Sequence, residues 1–475
     1  MKKNIYTFLF LVGGLALTSC SKDFTETQFF QSKQAAPLQT VEELTSFVNG
    51  AYAKMRVKEY LGAYYLAYAE VRSDEMYNNR NVGRFVSESN YTMSANTPDA
   101  RDTWDAIYKV VANANTVIGT AEDNLSWQKS KDVTKIRQEV KKLKAQAYAI
   151  RAIAFFDLLR LYGQKYTGGN LGIPLPLEYN PEAVTTRPTI EQTEAQIEAD
   201  FNKALELFQE AAGQGRNLST LVSATDKTTL SPLAVKAYQS RFYLFKEDWG
   251  KVITLSNEIV ASTKYTLMPA ADLEASFPKP SPTNSIFELA VGVNGSLGAS
   301  SYEYLFNSGG YRTILPTSYA IGLYENNDIR KKLIVRTSRG YFLNGKFSDL
   351  QSKSNVKLVR YEEVLLNLIE AQLKKNNEPA ARAVYNQLRT QRGLAATTTA
   401  ITFDDLKKER LRELLGEGFR YWDLLRWGDP VPEYNRTGAS NPADNRAVPN
   451  KAFAFPIPQD ERNSDLSNVP QNDGY

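Results

Sequence analysis

Between about residues 131 and 162, apolar side chains recur every three or four positions, at Ile136, Val140, Leu143, Ala147, Ile150, Ala154, Leu158 and Leu161. A strand cannot keep that spacing, because its side chains alternate with a period of two. A helix with one apolar stripe must bury it against other elements, so the chain is committed here to helical layering. Gly163 closes the run as a C-cap glycine. A second helix is expected from near Thr189, carrying Ile190, Ile197, Phe201, Leu205 and Phe208.

Two helix pairs follow the same logic. Pro232 stands at a first-turn position before Leu233, Ala237, Tyr243 and Leu244, and a short Lys246-Glu247-Asp248 turn leads to Trp249, Val252, Ser256 and Ile259. A comparable pair runs from Tyr361 to about Lys375 and from Pro379 to Arg392. Their aromatic, small-residue, turn, aromatic order is a degenerate match to a tetratricopeptide unit, which stacks on neighbours to bury its face. Generic amphipathic helices without repeat geometry are the alternative. One last helix is expected to hold Leu411, Leu414, Leu415, Gly418, Trp422 and Leu425. Residues 265–350 lose the helical period; they are rich in Gly, Ser, Asn, Pro and Tyr, with strand-like pieces such as Ser285–Val293. At 475 residues the chain exceeds the roughly 250–300 of one ordinary core. The expected fold is mainly α: a scaffold of tetratricopeptide-type repeats over about 100–265 and 356–428, with a loop-rich region at about 265–350 carrying a few short strands.

The first residues have a different character. Lys2 and Lys3 precede a mostly apolar run from Ile5 to Leu17, which closes on Leu17-Thr18-Ser19-Cys20. A basic start, a short apolar stretch and small residues at the cut describe a secretory signal over residues 1–19, too short to span a bilayer as a helix. Cys20 is the only cysteine, and the tetrapeptide resembles a bacterial lipobox, whose Cys becomes the lipidated new N-terminus. An ordinary signal peptide with a chance cysteine is the competing reading. Lipidation at Cys20 leaves residues 20–475 as one domain held on the membrane by acyl chains.

Composition narrows the chemistry. The chain has no histidine, so imidazole general-base catalysis and imidazole metal ligation are excluded. With Cys20 lipidated, no thiol nucleophile or thiolate metal site remains, and no cofactor or metal ion is expected. There are 57 basic and 53 acidic residues, and loss of Lys2 and Lys3 leaves 55 against 53. So even a balance gives no nucleic-acid footprint. A glycosidase would need two carboxylates at a set separation, and no spacing marks such a pair. No phosphate-binding loop or nucleophile elbow occurs either.

Several blocks carry a family resemblance. Lys144-Ala145-Gln146-Ala147-Tyr148-Ala149-Ile150-Arg151 through Phe155-Phe156-Asp157-Leu158-Leu159-Arg160-Leu161-Tyr162-Gly163, and Lys408-Glu409-Arg410 through Gly418-Phe419-Arg420-Tyr421-Trp422-Asp423-Leu424-Leu425-Arg426-Trp427-Gly428, are the clearest. Trp104 to Ile118, Tyr361 to Leu366, Phe455-Pro456-Ile457-Pro458-Gln459 and the closing Asn472-Asp473-Gly474-Tyr475 follow in order. Together they resemble the SusD/RagB-like family, starch-utilisation-type nutrient-binding lipoproteins of the Bacteroidetes outer membrane. The resemblance implies a tetratricopeptide-type array with a more variable half, not an enzyme. It implies a hinged lid on a SusC-like TonB-dependent β-barrel transporter, held at the outer membrane through a lipid anchor and facing the cell exterior. Lys22 and Asp23 resemble the short charged signal that sends such lipoproteins to the surface. By their residue types the resembling blocks are scaffold: aromatic and arginine side chains suit packed helix junctions, and Asp157 and Arg160 lie one turn apart and can pair.

The ligand must then be read elsewhere. A glycan site wants flat aromatics to stack on sugar faces and amides, acids or arginines to bond the hydroxyls. Trp104, Trp249, Trp422 and Trp427 fall in scaffold blocks and Trp127 in a charged loop, so the platform has to be Tyr or Phe. Tyr60, Tyr64 and Tyr68 repeat every four residues and read as a packed helix face. Two segments mix aromatics, amides and arginines without helical spacing: Tyr77, Asn79, Arg80, Phe85 and Tyr91, and Tyr302, Tyr304, Tyr311 and Arg312. These are the candidate ligand residues. An oligosaccharide is favoured, with a peptide as the alternative ligand and a protein-binding repeat lipoprotein as the second alternative.

Overall fold

The computed structural model describes residues 37–475, apart from residues 124, 179 and 181. Cys20, Lys22 and Asp23 lie outside the described residues. The chain enters through α1 (Val41–Met55), where Thr40 and Glu43 form a reciprocal capping box. There follow α2 (Tyr64–Glu70), the single turn α3 (Val86–Ser89) and α4 (Pro98–Ile118). The periodic stretch is α5 (Val133–Tyr162), started by Asp132, whose carboxylate accepts the Thr134 and Lys135 N–H groups. From Ala149 to Tyr162 every α5 residue is buried, because α1, α4 and α6 (Ile190–Ala212) pack around it. Gly163 does end α5, but in extended backbone at φ −74°. Glycine is needed there because a Cβ would stand 2.5 Å from the Leu159 carbonyl oxygen. Thr189 caps α6 in a second capping box, with Gln192.

The helix pairs form as their spacing predicts. Ser231 caps α7 (Pro232–Lys246), Glu247 turns through the left-handed region at φ 59°, and Asp248 caps α8 (Trp249–Ala261). Downstream, α12 (Tyr361–Lys374) and α13 (Glu378–Gln391) form the second pair, and α12 lies against α8. The pairs therefore stack, as tetratricopeptide-type units must, and the fold is mainly helical.

The expected last helix is two. Here α14 (Phe403–Leu414) stops and α15 (Arg420–Trp427) begins after a link in which Gly416 and Gly418 take φ +76° and +82°. The apolar period runs across this link, but the backbone cannot. The Gly416 and Gly418 N–H groups are free to donate to Glu75 and Glu70, at 3.0 and 2.5 Å. Behind it, Tyr60 and Tyr65 each donate a hydroxyl to Asp157 at 2.7 Å, and Arg160 pairs with Asp157 at 2.6 Å. The Arg160 guanidinium in turn lies 5.1 Å over the Trp422 ring, joining α2, α5 and α15.

The region without period carries short strands, as expected, and also three short helices, α9 (Leu273–Ser276), α10 (Tyr302–Phe306) and α11 (Ser318–Gly322). Among the described residues strands are paired two by two, some of them with partners outside this region. The pairs are β1 (Met76–Asn78) with β4 (Ile314–Pro316), β2 (Thr185–Thr186) with β8 (Ser467–Asn468), β3 (Ser285–Leu289) with β7 (Val356–Arg360), and the hairpin β5 (Val335–Thr337) with β6 (Gly340–Phe342). The strand expected to reach Val293 ends at Leu289. Buried ion pairs fasten this region to the helices: Arg330 reaches Asp328 and Glu409 at 2.7 Å, and Arg392 reaches Glu362 and Glu413 at 2.9 Å. Burial alone would raise the Glu413 carboxyl, but Arg392, Arg360 and Arg330 hold it well below the usual carboxylate range. Among the described residues no helix is long and apolar enough to cross a membrane.

Candidate functional site

The antiparallel pairing of β1 with β4 brings the two candidate segments into one surface. Tyr77 stands opposite Leu315 and Asn78 opposite Ile314. Beyond the strands the amides continue the seam. The Asn79 N–H donates to the Thr313 carbonyl at 3.0 Å and its Nδ2 to the Arg312 carbonyl at 2.5 Å. Asn81 Nδ2 donates to the Tyr311 carbonyl at 2.6 Å. Asn79 is thereby spent on holding the seam.

Those groups are fixed in place. Tyr304 and Tyr311 meet edge to face, centroids 5.1 Å apart, because the turn between them is tight: the Tyr311 N–H donates to the Tyr304 carbonyl at 2.7 Å. The Arg84 guanidinium lies 4.7 Å over the Tyr311 ring. Arg80 Nη2 donates to Asn90 Oδ1 at 2.5 Å. Tyr77 is half-buried, because the turn at Gly438, itself at φ +75°, passes so close that a Cβ there would be 2.8 Å from Tyr77 Cε1. Arg80, Phe85, Tyr91 and Arg312 all hold φ between 56° and 60°, an uncommon conformation for such side chains. Strained backbone of this kind gathers at binding sites, where the surroundings must over-determine it.

Three candidates support the surface instead of facing it. Phe85 is buried edge-on to Tyr64 and Tyr68, centroids 5.0 and 5.8 Å away. Tyr302 is buried, its hydroxyl donating to the Gly416 carbonyl at 2.9 Å. The Tyr91 ring is gripped between the guanidinium groups of Arg72 and Arg446, 4.6 and 4.5 Å from its centre. Tyr60, Tyr65 and Tyr68 are fully packed, whereas Tyr64 is part-exposed. The surface also has two borders that sequence reasoning missed. One is the β5–β6 hairpin, where Arg336 lies 5.7 Å over Tyr341 and a Cβ on Gly340 would be 3.8 Å from the Tyr77 hydroxyl. The other is the 434–438 turn, anchored by the Tyr434 hydroxyl donating to the Asp74 carbonyl at 3.3 Å.

The carboxyl groups of these segments are withdrawn. Asp74 pairs with Arg420 at 2.6 Å and Glu433 with Arg446 at 2.8 Å. Glu88 is buried, and burial followed by the neighbouring Asp99 pushes its carboxyl up to about 7. A cavity of about 60 Å³ lies elsewhere, between Tyr302, Phe277 and Leu297. Its lysines are committed, Lys346 to Glu417 at 2.7 Å and Lys357 to Glu288 at 2.9 Å.

Residues 25–244 match a family described as starch-binding and associating with the outer membrane, and residues 330–475 match the SusD family. SusD-like protein P2 of Formosa agariphila is 23% identical over 100% of both chains. A crystal structure of a SusD superfamily protein from Bacteroides vulgatus is 26% identical, with a TM-score of 0.79 over 92% of this chain and 100% of that one. Surface glycan-binding protein A from Bacteroides fluxus is 22% identical, with a TM-score of 0.71 over 92% and 100%. Both ends of the helical array match models of one family and the stacked pairs superpose on its solved folds, so the chain belongs to the SusD family.

Proposed function

We propose that this protein is a surface lipoprotein, anchored through Cys20, that captures an oligosaccharide and passes it to a TonB-dependent outer-membrane transporter as its hinged lid. The observation that carries the binding reading is the β1–β4 seam, which turns two aromatic, arginine-bearing segments 233 residues apart into one surface. The family description and the surface glycan-binding relative support a carbohydrate ligand. Tyr304 and Tyr311 supply stacking faces, and Arg80, Arg84 and Arg312 supply hydrogen-bond donors beside them. On this reading the protein binds without cleaving: Asp74 and Glu433 are salt-bridged and Glu75 and Glu88 are buried, which withdraws them from acid–base work.

Tyr304 is half-exposed, so Tyr304→Ala is expected to weaken oligosaccharide binding by about thirtyfold, a hot-spot-sized loss, with little change in melting temperature. Tyr77→Ala is expected to weaken binding too, but with a stability cost of about 1–2 kcal/mol, because the Gly438 turn rests on that ring. Calorimetric titration beside thermal melting reads both. Normal binding by both variants would place the site elsewhere, and new reducing ends after a day with bound oligosaccharide would contradict binding without cleavage.

A further inference from the structure

We propose that this surface selects an anionic oligosaccharide, one bearing carboxylate or sulfate groups on its rings. The proposal rests on the binding surface described above and adds the charge of its ligand. The segments that form and border the surface carry Arg80, Arg84, Arg312, Arg336, Arg339 and Arg436. Among the described residues none of the six forms a salt bridge, whereas many scaffold arginines do, among them Arg160, Arg330, Arg392, Arg420 and Arg426. The imbalance is not offset locally. Of the carboxyl groups in the same segments, Asp74 and Glu433 are neutralised by Arg420 and Arg446, Glu75 and Glu88 are buried, and burial pushes the part-buried Glu303 up to about 8. The β5–β6 hairpin contributes cations and no acid.

The guanidinium groups are also held in position. Arg84 lies over the Tyr311 ring, and its Nη1 is buried with no hydrogen-bond partner. The Nη2 of Arg80 is fixed on Asn90, while its Nε is likewise buried without a partner. Planar donors fixed beside aromatic faces suit a ring that carries a carboxylate or sulfate, which accepts two parallel N–H bonds while its apolar face stacks. Unpaired cations spread over four segments call for several anionic groups in sequence, which an oligosaccharide supplies and a single sugar does not.

The test is calorimetric titration of the purified protein with tetragalacturonate, a sulfated chondroitin tetrasaccharide, cellotetraose, maltotetraose and tetraglutamate. At least one of the first two should bind about tenfold or more tighter than either neutral tetrasaccharide, and which one separates carboxylate from sulfate recognition. That binding should weaken severalfold from about 50 to about 300 mM salt. Arg84→Gln and Arg312→Gln should each lower affinity about tenfold without changing the melting temperature. Tighter binding of a neutral tetrasaccharide, lost in Tyr304→Ala, overturns the charge inference and leaves the surface reading intact. Anionic binding untouched by Tyr304→Ala and by both arginine variants overturns the surface reading as well. Preference for tetraglutamate, or no binding of either anionic saccharide, overturns the proposal.

Discussion

At the scale of single residues, Asp157 is the side chain on which most depends. It accepts from Tyr60, Tyr65 and Arg160 at once, all of them buried. The sequence suggested an Asp157–Arg160 pair from helical spacing, and the pair is present. The two tyrosines came from 92 and 97 residues away and had no local signal. Asp157→Ala leaves a buried guanidinium and two hydroxyls without their acceptor and is expected to cost about 3–5 kcal/mol in urea titration. Trp422, stacked near Tyr65 and under Arg160, is expected to cost a similar amount on truncation to Ala. Both losses should leave the affinity of whatever folded protein remains unchanged, the opposite of Tyr304→Ala.

At the scale of elements, the α14–α15 link joins the scaffold to the proposed binding surface. Its two glycine N–H groups are accepted by Glu75 and Glu70, two buried carboxyl groups that act on each other. Burial raises both, Glu70 to about 7, with Lys346 partly offsetting the rise there, and Arg420 doing so at Glu75. The folded protein therefore keeps a proton that the unfolded chain releases near pH 4.5. The resulting stability is complete below that pH and is lost as pH rises through about 7. In Glu75→Gln one of the two raised carboxyl groups is gone and its amide can donate to Glu70, so the decline in stability between about pH 5 and pH 8 should shrink. Urea titrations across that range check it; an unchanged decline would show that other carboxyl groups carry it. Sequence reading placed one helix across this link because Leu411, Leu414, Trp422 and Leu425 keep their spacing. The signal against it was present: two glycines within three residues are costly in a helix interior and free at positive φ. The helix starts, by contrast, were legible because the apolar period met a capping residue and a first-turn proline at Ser231-Pro232, and a capping residue at Thr189.

At the scale of the molecule, the scaffold could be read and the surface only in part. Long helices announce themselves through local periodicity. The proposed binding surface is built from three-residue strands and turns whose partners are distant, so composition marked Tyr77, Arg80, Tyr304 and Tyr311 but could not show the strand pairing that joins their segments. Nor could it find the β5–β6 hairpin or the 434–438 turn, which lack any period. Anchoring is the property that belongs to the whole chain. A multiply acylated cysteine holds a protein firmly where a single chain does so marginally. Cys20→Ala is thus expected to move the protein from the membrane fraction to the soluble fraction with an unchanged melting temperature, and a variant that stays with membranes would contradict the lipoprotein reading. The β1–β4 seam carries a last consequence, for folding. Contacts that close so long a loop form only after the intervening helices have docked, since their entropic cost must be met before they return anything. A ligand on that seam then engages only fully closed chains and stabilises them by RT ln(1 + [L]/Kd). Ligand binding at the proposed site and completion of the fold then become one equilibrium, so a partly folded copy cannot compete for ligand.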